Sequence, residues 1–437
     1  MDKNEFSRVL FNYLNKNEII YAIAKLDIDD VSGAELADII VCKNTFRKIS
    51  RFIIEFCKES NFILVQKLYS ESTSCQVVLC YYDNHSEKLT SCKINFQSDF
   101  KIKGRFYLSA KELLSNRIYI DVKNRWQLND TYFFIYNSIR NIDKESISQK
   151  HFAKLFSCWA NNYLFIPEKL KTFFSKESIE IIKQSFKEKE HLYFNANLNY
   201  LKKDLQAKVS KRMWDVIGNK ISLLRCMINP PGLVVGLLGR DGTGKSTFVD
   251  EMARSLPAYF KGITTFKKCP AIFYKGAIFN KNEGYHFSKP HMYSQRNTFQ
   301  SFLKLTLLFC EFMLGYWIKV FPLKAKSQLV LYDRYFIDVL ADPFRYRIRN
   351  NKLFIKVIHY LLPKPDLWII LDLPSYILLQ RKQELTFEMS EKLRFEYLRL
   401  QHMLSNCIVI NNNDEIKKTV DKASAFIFNH MLQKIAV

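Results

Sequence analysis

The segment at residues 233–256, LVVGLLGRDGTGKSTFVDEMARSL, constrains the fold of this 437-residue chain more than any other. Its first residues form a continuous apolar run, which predicts a buried strand. A glycine-rich turn follows, and KSTFVDEMARSL then places Phe248, Val249 and Met252 on one face of a predicted helix. A strand that leads through a tight turn into such a helix is the repeating unit of domains with parallel sheets. The sequence therefore predicts an α/β fold for the region that begins here.

The turn itself, GRDGTGKS at Gly239 to Ser246, satisfies the phosphate-loop pattern G-x-x-x-x-G-K-[ST]. Its glycines permit backbone angles that a side chain would forbid, so that successive N–H groups can form a concave nest for phosphates. In this pattern Lys245 reaches the β- and γ-phosphates, and the Ser246 hydroxyl ligates Mg²⁺. We expect ATP as the ligand, bound by Gly239, Arg240, Gly242, Thr243, Gly244, Lys245, Ser246 and Thr247.

The residue patterns change along the chain and predict three regions. Residues 1–140 alternate helix-like stretches with short apolar runs, which indicates an α+β domain, whereas residues 141–228 read as Lys-rich amphipathic helices. The breaker INPPG then precedes residues 229–437, where strands alternate with helices. That alternation predicts a parallel sheet covered by helices on both faces. We expect its strands near 233–238, 262–266, 328–332, 367–371 and 407–410, and a final helix at about 414–434.

The composition is that of a folded protein, with 48% apolar and 25% charged residues. The first twenty residues lack the apolar core of a secretory signal, and the ten cysteines are scattered without a C-x-x-C pair. These features favour a cytoplasmic location with reduced thiols. The net charge of +23 is spread along the chain, so it does not favour nucleic acid as a partner.

The segment LTLLFCEFMLGYWIKVFPL, at residues 305–323, has about the length that spans a bilayer. It contains Glu311 and Lys319, and each charge would be costly in the middle of a membrane. We therefore expect a buried helix and no transmembrane span, with contact to a membrane surface as the alternative.

A second apolar strand, in SQLVLYDRY, ends in Asp333 and Arg334. Ligands of open α/β sheets bind at the carboxyl ends of the strands. Asp333 can hold Mg²⁺ there, and the planar guanidinium of Arg334 can clamp a phosphoryl group. An ordinary ion pair at a strand end is the alternative interpretation.

A third strand, in PDLWIILDLPSYILLQRKQEL, leads into a helix that ends with Arg381 and Lys382. Cations at this position suit a lid over ATP, because charge develops on the phosphoryl group during transfer. Cations at a helix C-terminus also complement the helix dipole, so both explanations stand.

Taken together, GRDGTGKST, LVLYDRYFIDVLADPFRY and PDLWIILDLPSYILLQRKQEL resemble the thymidylate kinase family of nucleoside monophosphate kinases, over residues 230–437. The resemblance implies a five-stranded parallel sheet, ATP with Mg²⁺ as donor and an acceptor that bears a monophosphate. It further implies that Asp241 faces the acceptor and that Arg334 bridges the two sets of phosphates. Residues 381–395 would form a mobile lid, and the loop after CIVINNN would lie near the adenine.

The resemblance weakens at the acceptor pocket, which it places between residues 262 and 310. The family's residues for thymine and for the acceptor phosphate have no match there, and His291 and Arg296 are the polar candidates. The segment DVLADPFRYRIR adds Asp338, Asp342, Arg345 and Arg347. It resembles a two-domain subgroup associated with cell-surface polysaccharide gene clusters, for which the acceptor can differ from dTMP.

The N-terminal segment AELADIIVCKNTFRKISRFI resembles the start of a nucleotidyltransferase fold. That fold uses a D-h-D pair and a third carboxylate to bind two metal ions. Here Asp38 is followed at the second position by Ile40, and Asn95 stands where the third carboxylate is wanted. We expect a domain that keeps the shape without the chemistry, or else an unrelated α/β domain. The run at Asp27, Asp29 and Asp30 is an alternative source of a carboxylate pair.

The resulting expectation is a phosphotransferase that needs ATP and Mg²⁺ and moves the γ-phosphate to a small phosphorylated or hydroxyl acceptor, with dTMP among the candidates. Lys245, Asp241, Asp333, Arg334 and Arg381 are its predicted catalytic residues, and Ser246 and Asp333 its predicted metal ligands. A regulatory or assembly protein that binds the nucleotide without transferring phosphate is the alternative.

Overall fold

The computed structural model describes residues 3–26, 35–83, 88–211, 213, 217–218, 226–256, 259–267, 269–270, 272, 294–349, 351–381, 385–413 and 415–436. The chain divides into two compact units, Met1–Arg225 with Ile435–Val437 and Cys226–Lys434, here named unit 1 and unit 2.

Unit 1 is built on a mixed seven-stranded sheet in the order β3-β4-β5-β2-β1-β9-β8, beside a separate hairpin of β6 and β7. The strands are β1 (Tyr21–Leu26), β2 (Glu35–Val41), β3 (Ile63–Glu71), β4 (Ser74–Asp83), β5 (Lys88–Gln97), β6 (Phe100–Ile102), β7 (Arg105–Leu108), β8 (Arg117–Ile120) and β9 (Arg125–Leu128). The pair β3 and β4 and the pair β4 and β5 are antiparallel, whereas β2 and β5 are parallel. Short connections join the antiparallel neighbours, as hairpins require.

The helices of residues 141–208 share one apolar core with this sheet. The helices of unit 1 are α1 (Lys3–Lys16), α2 (Lys43–Arg47), α3 (Ile49–Ser60), α4 (Ala110–Ser115), α5 (Asp130–Lys144), α6 (Gln149–Asn162), α7 (Phe165–Leu170), α8 (Lys176–Lys187) and α9 (His191–Lys208). Phe152 of α6, Phe186 of α8 and Leu201 of α9 lie in the same buried cluster as Ala22 and Ile40 of the strands. The segment that the sequence sets apart as a helical middle region is thus grouped by the structure with residues 1–140.

Asp38, on β2, is fully buried in unit 1 and ion-paired with Arg140. It also accepts hydrogen bonds from Asn95 Nδ2 at 3.1 Å and from the Tyr136 hydroxyl at 3.2 Å. Asn95 is its direct neighbour on the parallel strand β5. Among the described residues of the chain, no cluster of three or more metal-ligating side chains is present. The Asp38 carboxylate is therefore neutralised by the Arg140 guanidinium. The alternative carboxylates, Asp27, Asp29 and Asp30, lie outside the described residues.

We predict that Asp38→Asn lowers the free energy of unfolding of unit 1 by about 3 kcal/mol, because it leaves the Arg140 charge without its counter-ion. Phosphotransfer by unit 2 should not change. Urea unfolding and a phosphotransfer assay measure the two effects. Asp143→Asn is a matched control, since Asp143 pairs with the largely exposed Lys103 and should contribute less than about 1 kcal/mol. Loss of a phosphotransfer activity in folded Asp38→Asn would contradict this assignment.

Unit 2 contains the expected five-stranded parallel sheet, in the order β11-β12-β10-β13-β14. Its strands are β10 (Leu233–Leu238), β11 (Ile263–Lys267), β12 (Leu329–Asp333), β13 (Leu367–Asp372) and β14 (Cys407–Asn411). Each lies within one or two residues of its predicted position, so the α/β class is confirmed. The three inner strands, β12, β10 and β13, are buried along nearly their whole length, as parallel strands covered on both faces must be.

The helices of unit 2 connect these strands and cover the sheet. They are α10 (Lys245–Ser255), α11 (Thr298–Gly315), α12 (Phe321–Ala325), α13 (Asp338–Ala341), α14 (Lys352–Leu361), α15 (Ser375–Arg381), α16 (Phe387–Leu400) and α17 (Ile416–Ala436). A single π turn, Tyr316–Val320, joins α11 to α12 without a break.

The continuous helix Thr298–Ala325 is the one among the described residues that is long and apolar enough to cross a membrane, a test that the core helix of a soluble protein also passes. Only 28% of its most apolar stretch is buried. Leu305, Phe312 and Tyr316 pack into the core beneath it, and Glu311 is buried as well. The expectation of a buried helix is therefore correct for one face and wrong for the other, which is exposed.

His359, on the inner face of α14, is buried, and its Nδ1 atom has no hydrogen-bond partner in the part of the chain that the structure describes. Burial lowers the pKa of His359 to about 4, and Lys364 acts in the same direction. Between pH 6.5 and 4 the unfolded chain therefore takes up a proton that the folded chain does not. The stability contributed by the neutral imidazole is present above pH 6.5 and is lost as the pH falls.

We predict that wild-type unit 2 loses about 2 kcal/mol of unfolding free energy through His359 between pH 7 and pH 5. His359→Leu, which has no titrating group at a similar volume, should lack this part of the pH dependence. Urea unfolding of both proteins at the two pH values measures the difference. Equal pH dependence in the two proteins would show that folding does not lower the pKa of His359.

Candidate functional site

The turn between β10 and α10 contains three glycines in a backbone conformation that residues with side chains rarely adopt. Gly239, Gly242 and Gly244 all have positive φ angles, of 143°, 87° and 85°. These angles strain residues with side chains, and a Cβ on Gly239 would also lie 2.6 Å from the carbonyl oxygen of Leu371. The three glycines are therefore required by the geometry of the loop.

Lys245, the first residue of α10, is buried under this loop. Its Nζ donates hydrogen bonds to the carbonyl oxygens of Gly239 at 2.8 Å and Arg240 at 2.6 Å. Ser246 and Thr247 follow it in the first turn of the helix and are exposed. A helix N-terminus with unpaired N–H groups and an adjacent ammonium group attracts anions. The loop, Lys245 and the two hydroxyls thus lie together, as the sequence predicts.

Arg240 differs from the other loop residues, because its side chain points into the protein. Its guanidinium donates to the hydroxyls of Ser375 and Ser390, each at 2.7 Å, and to the carbonyl oxygen of Leu373. Burial lowers the pKa of Arg240, and Asp372 opposes this effect. The side chain ties the loop to α15 and α16, so that only the backbone of Arg240 is left to line the loop.

The segment after β14 contacts the loop directly. Asn412 is buried, and its Nδ2 donates to the carbonyl oxygen of Thr243 at 2.6 Å. A Cβ on Gly244 would lie 2.6 Å from the same nitrogen. Asn412 therefore fixes the middle of the loop, a role that the sequence does not reveal.

Asp333 ends β12 beside the phosphate loop. In the sheet it is level with Leu237 of β10 and with Lys267 of β11. Its Oδ1 is buried and has no hydrogen-bond partner among the described residues. An unpaired carboxylate oxygen at this edge suits a cation. Mg²⁺ is commonly held by one or two protein oxygens together with phosphates, so Asp333 and the exposed Ser246 hydroxyl fit this ion.

Arg334 adopts a positive φ of 83°, and its side chain turns back into the protein. It donates to Asp338 Oδ2 at 2.8 Å, and Asp338 also accepts from the hydroxyls of Tyr397 at 2.6 Å and Tyr346 at 2.8 Å. Burial alone would lower the pKa of Arg334, but the carboxylate of Asp338 raises it above its ordinary value. The guanidinium thus stays charged although it is buried.

Asp241, in the phosphate loop, forms ion pairs with two arginines. Arg334 donates to its Oδ1, and Arg345 pairs with its Oδ2. The backbone N–H of Arg345 is held in turn by Asp342 Oδ1 at 3.1 Å. The sequence places Arg345 soon after Asp333 and Arg334 but does not predict its ion pair with Asp241. That pair joins the segment at residues 342–345 to the loop.

Two arginines of the predicted lid region, Arg381 and Arg394, have different surroundings in the structure. Arg381 is exposed at the end of α15, and Lys382 lies outside the described residues. Arg394 of α16 instead forms hydrogen bonds from Nε and Nη2 to Asp372, at 2.9 and 2.6 Å, at the carboxyl end of β13. The hydrogen bonds to Asp372 raise the pKa of Arg394. Arg394 falls within residues 381–395, the only sequence signal that pointed to it.

Of the two predicted acceptor residues, the structure describes Arg296 but not His291. His291 lies outside the described residues, and the backbone N–H of Arg296 donates to the carbonyl oxygen of Arg347 at 3.1 Å. Arg347 also donates from Nε to the carbonyl oxygen of Ser294 at 3.2 Å. These contacts join the segment before α11 to the segment after α13.

Comparison with known proteins gives only weak likenesses. No protein-family model matches the chain, and no curated protein matches it. Among solved structures, thymidylate kinase from Candida albicans is similar at 17% identity and a TM-score of 0.33, with 45% of this chain and 91% of that chain covered. Those values are too low to carry an argument about function, and the nucleotidyltransferase resemblance of residues 1–140 has no support. What stands is an α/β unit with a five-stranded parallel sheet and a glycine-rich turn at its carboxyl edge.

Proposed function

We propose that unit 2 is an ATP- and Mg²⁺-dependent phosphotransferase of the nucleoside monophosphate kinase type. One observation carries this proposal: the phosphate loop adjoins a cluster of Asp241, Arg334 and Arg345 at the carboxyl edge of the parallel sheet. This edge is where open α/β sheets bind their ligands. Two arginines beside the loop supply the cations that match the charge of a phosphoryl group during transfer.

The loop binds the triphosphate through the backbone N–H groups of residues 242–246 and the N-terminus of α10. Lys245 supplies positive charge to the β- and γ-phosphates. To do so, its ammonium group must leave the carbonyl oxygens of Gly239 and Arg240 and bind phosphate oxygens instead. Asp333 and Ser246 would hold Mg²⁺, which supplies charge neutralisation at the phosphates when it is bound.

Arg334 and Arg345 match the charge that develops on the transferred phosphoryl group. Both guanidiniums are positioned by Asp241, and Arg334 also by Asp338, so that little reorganisation is needed during transfer.

Arg381 is assigned to the lid. The acceptor is a small molecule with a phosphate or a hydroxyl group, and dTMP is one candidate. The ten cysteines, all within the described residues, form no disulfide, and the cytoplasm is the proposed location.

A nucleotide-binding regulatory role without transfer is the second candidate. It is favoured by the closed network around Arg334, which Asp241, Asp338 and Tyr397 bind from three sides. Because Arg334 links Asp241 of the loop to Asp338 and Tyr397, a change in the loop on nucleotide binding can shift these residues. The guanidinium itself then need not contact the γ-phosphate.

The fate of the γ-phosphate separates the two functions. The full chain is incubated with γ-labelled ATP, Mg²⁺ and three acceptor panels: nucleoside monophosphates, free sugars and lipid-linked sugars. A labelled product from one panel supports the phosphotransferase. Tight binding of ATP with at most slow hydrolysis, and no labelled acceptor, would support the regulatory role instead. A parallel preparation of Lys245→Ala detects any contaminating kinase.

A further inference from the structure

Unit 2 exposes an apolar surface along the helix Thr298–Ala325. Phe299, Phe302, Leu303, Leu314, Trp317 and Ile318 are all exposed, and Trp317 is 56% exposed. Most of these residues follow the spacing of three, four and seven that places side chains on one face of a helix. The opposite face, with Leu305, Phe312 and Tyr316, packs into the core.

The neighbouring helix α14 extends this surface. Leu353, Val357, Tyr360 and Leu361 are exposed at helical spacing, and Tyr360 is 77% exposed. The two helices touch near their N-terminal ends, where the rings of Phe302 and Phe354 stack with their centroids 5.1 Å apart. Exposed apolar areas of this extent on a soluble unit usually mark a site of interaction. The exposed residues of the two helices are here named the apolar face.

The charges around the apolar face are predominantly positive. Residues 298–326 and 343–365 together contain ten Lys and Arg residues and one acidic residue, Glu311. Three of these cations pair with acidic residues outside the two segments: Lys324 with Asp366, Arg345 with Asp241 and Lys352 with Glu396. Glu311 is buried and accepts a hydrogen bond from the backbone of Ile272, so it does not offset the surface charge. On α14, Lys352 and Lys356 are exposed beside the apolar stripe. A surface with this charge is complementary to anionic headgroups.

A cavity of about 450 Å³ opens between α11 and α14. Phe302, Leu305 and Phe354 supply its apolar lining, and Arg349 and Lys352 supply its cations. Apolar walls next to cationic groups suit an amphiphile whose headgroup is negative. The exposed Trp317 and Tyr360 are of the residue types that concentrate where headgroups meet acyl chains.

We propose that the apolar face docks unit 2 onto an anionic lipid bilayer, with the helix Thr298–Ala325 lying in the plane of the interface. Spanning the bilayer would require this helix to leave the core that Leu305, Phe312 and Tyr316 form with the parallel sheet. In the plane, the helix keeps that packing and buries only its outer face. The lysines remain at headgroup level with their aliphatic stems on the apolar surface.

Binding of the full chain to vesicles tests this proposal. Vesicles of phosphatidylcholine alone and vesicles with about a third of phosphatidylglycerol are compared by flotation at low and at high salt. We expect strong binding to the anionic vesicles, weak binding to the neutral ones, and loss of binding as salt rises. Leu353→Gln with Tyr360→Gln should weaken binding at least about tenfold, since two exposed apolar side chains no longer enter the membrane. Lys352→Gln with Lys356→Gln should weaken it at least about fivefold on anionic vesicles only.

Leu192→Gln is the matched control, because Leu192 is an equally exposed leucine on α9 of unit 1. All these positions are exposed, so urea unfolding should show unchanged stability. The proposal is overturned if wild type fails to bind anionic vesicles, or if it binds neutral vesicles equally well. It is also overturned if the chain dimerises through this face, with Leu353→Gln and Tyr360→Gln restoring the monomer and no lipid bound.

Discussion

Replacing Lys245 with alanine is expected to lower phosphotransfer from ATP by about three orders of magnitude. The ammonium group of Lys245 is buried against the phosphate loop and donates to two loop carbonyls, whereas the other buried cation of the loop, Arg240, turns its side chain towards Ser375 and Ser390. Without it, the charge on the β- and γ-phosphates is no longer matched at the loop. Steady-state kinetics of phosphotransfer, with ATP affinity measured separately, give the effect on each step.

Lys417→Ala provides the control, because Lys417 is an exposed lysine in the first turn of α17 and should leave the kinetics unchanged. Unfolding in urea shows whether the Lys245 variant is folded. Turnover within a few-fold of wild type in a folded Lys245→Ala protein would remove the loop from the chemistry.

Arg334→Ala is expected to lose both turnover and stability. Removal of the guanidinium leaves the Asp338 carboxylate buried, with two tyrosine hydroxyls as its remaining side-chain partners among the described residues. This should lower the free energy of unfolding by about 3–5 kcal/mol. Turnover should fall by about a thousandfold, because the charge beside the transferred phosphoryl group is lost. ATP affinity should change far less. Denaturation curves and kinetics below the unfolding transition measure these effects.

Arg345→Gln separates the catalytic effect from the structural one. Arg345 pairs with Asp241 and is more exposed than Arg334, so its loss should lower turnover with a smaller change in stability. Arg254→Ala, which removes an exposed pair with Glu251 on α10, is the neutral control. If Arg334→Ala retained normal turnover, that residue would be structural, and the transfer of phosphate would have to be assigned to other groups.

The strands of unit 2 and the loop after β10 could be predicted because their signals are local. A strand, a glycine turn and a helix follow each other within twenty-four residues, and their apolar patterns fix which faces are buried. The five parallel strands lie almost where the patterns place them. Lys245, Ser246 and Thr247 likewise occupy the first turn of a helix, as the motif indicates.

The partners of the loop could not be predicted, because they come from distant parts of the chain. Asn412 lies 169 residues from Thr243, and Arg334 lies 93 residues from Asp241. The direction of the Arg240 side chain could not be predicted either. The motif places this residue in the loop, but its guanidinium donates to two serine hydroxyls that lie 135 and 150 residues away in the chain. Only the tertiary fold brings such groups together.

The composition and periodicity of the helices did not predict which of their faces would be buried or which core they would join. The helix Thr298–Ala325 is apolar on both faces, so its sequence alone does not distinguish a core helix from one with an exposed apolar face. The amphipathic helices of residues 141–208 give no sign of which core they join, and in the structure they pack with the sheet of unit 1. Such assignments depend on contacts between elements and not on periodicity.

A crystal structure of the chain with Mg²⁺ and a non-hydrolysable ATP analogue tests the central claim most directly. The account predicts the phosphates within the turn Gly239 to Ser246, with Lys245 Nζ moved from the carbonyls of Gly239 and Arg240 to phosphate oxygens. It also predicts the metal ion next to Asp333. An analogue bound elsewhere, with Lys245 still on both carbonyls, would contradict it.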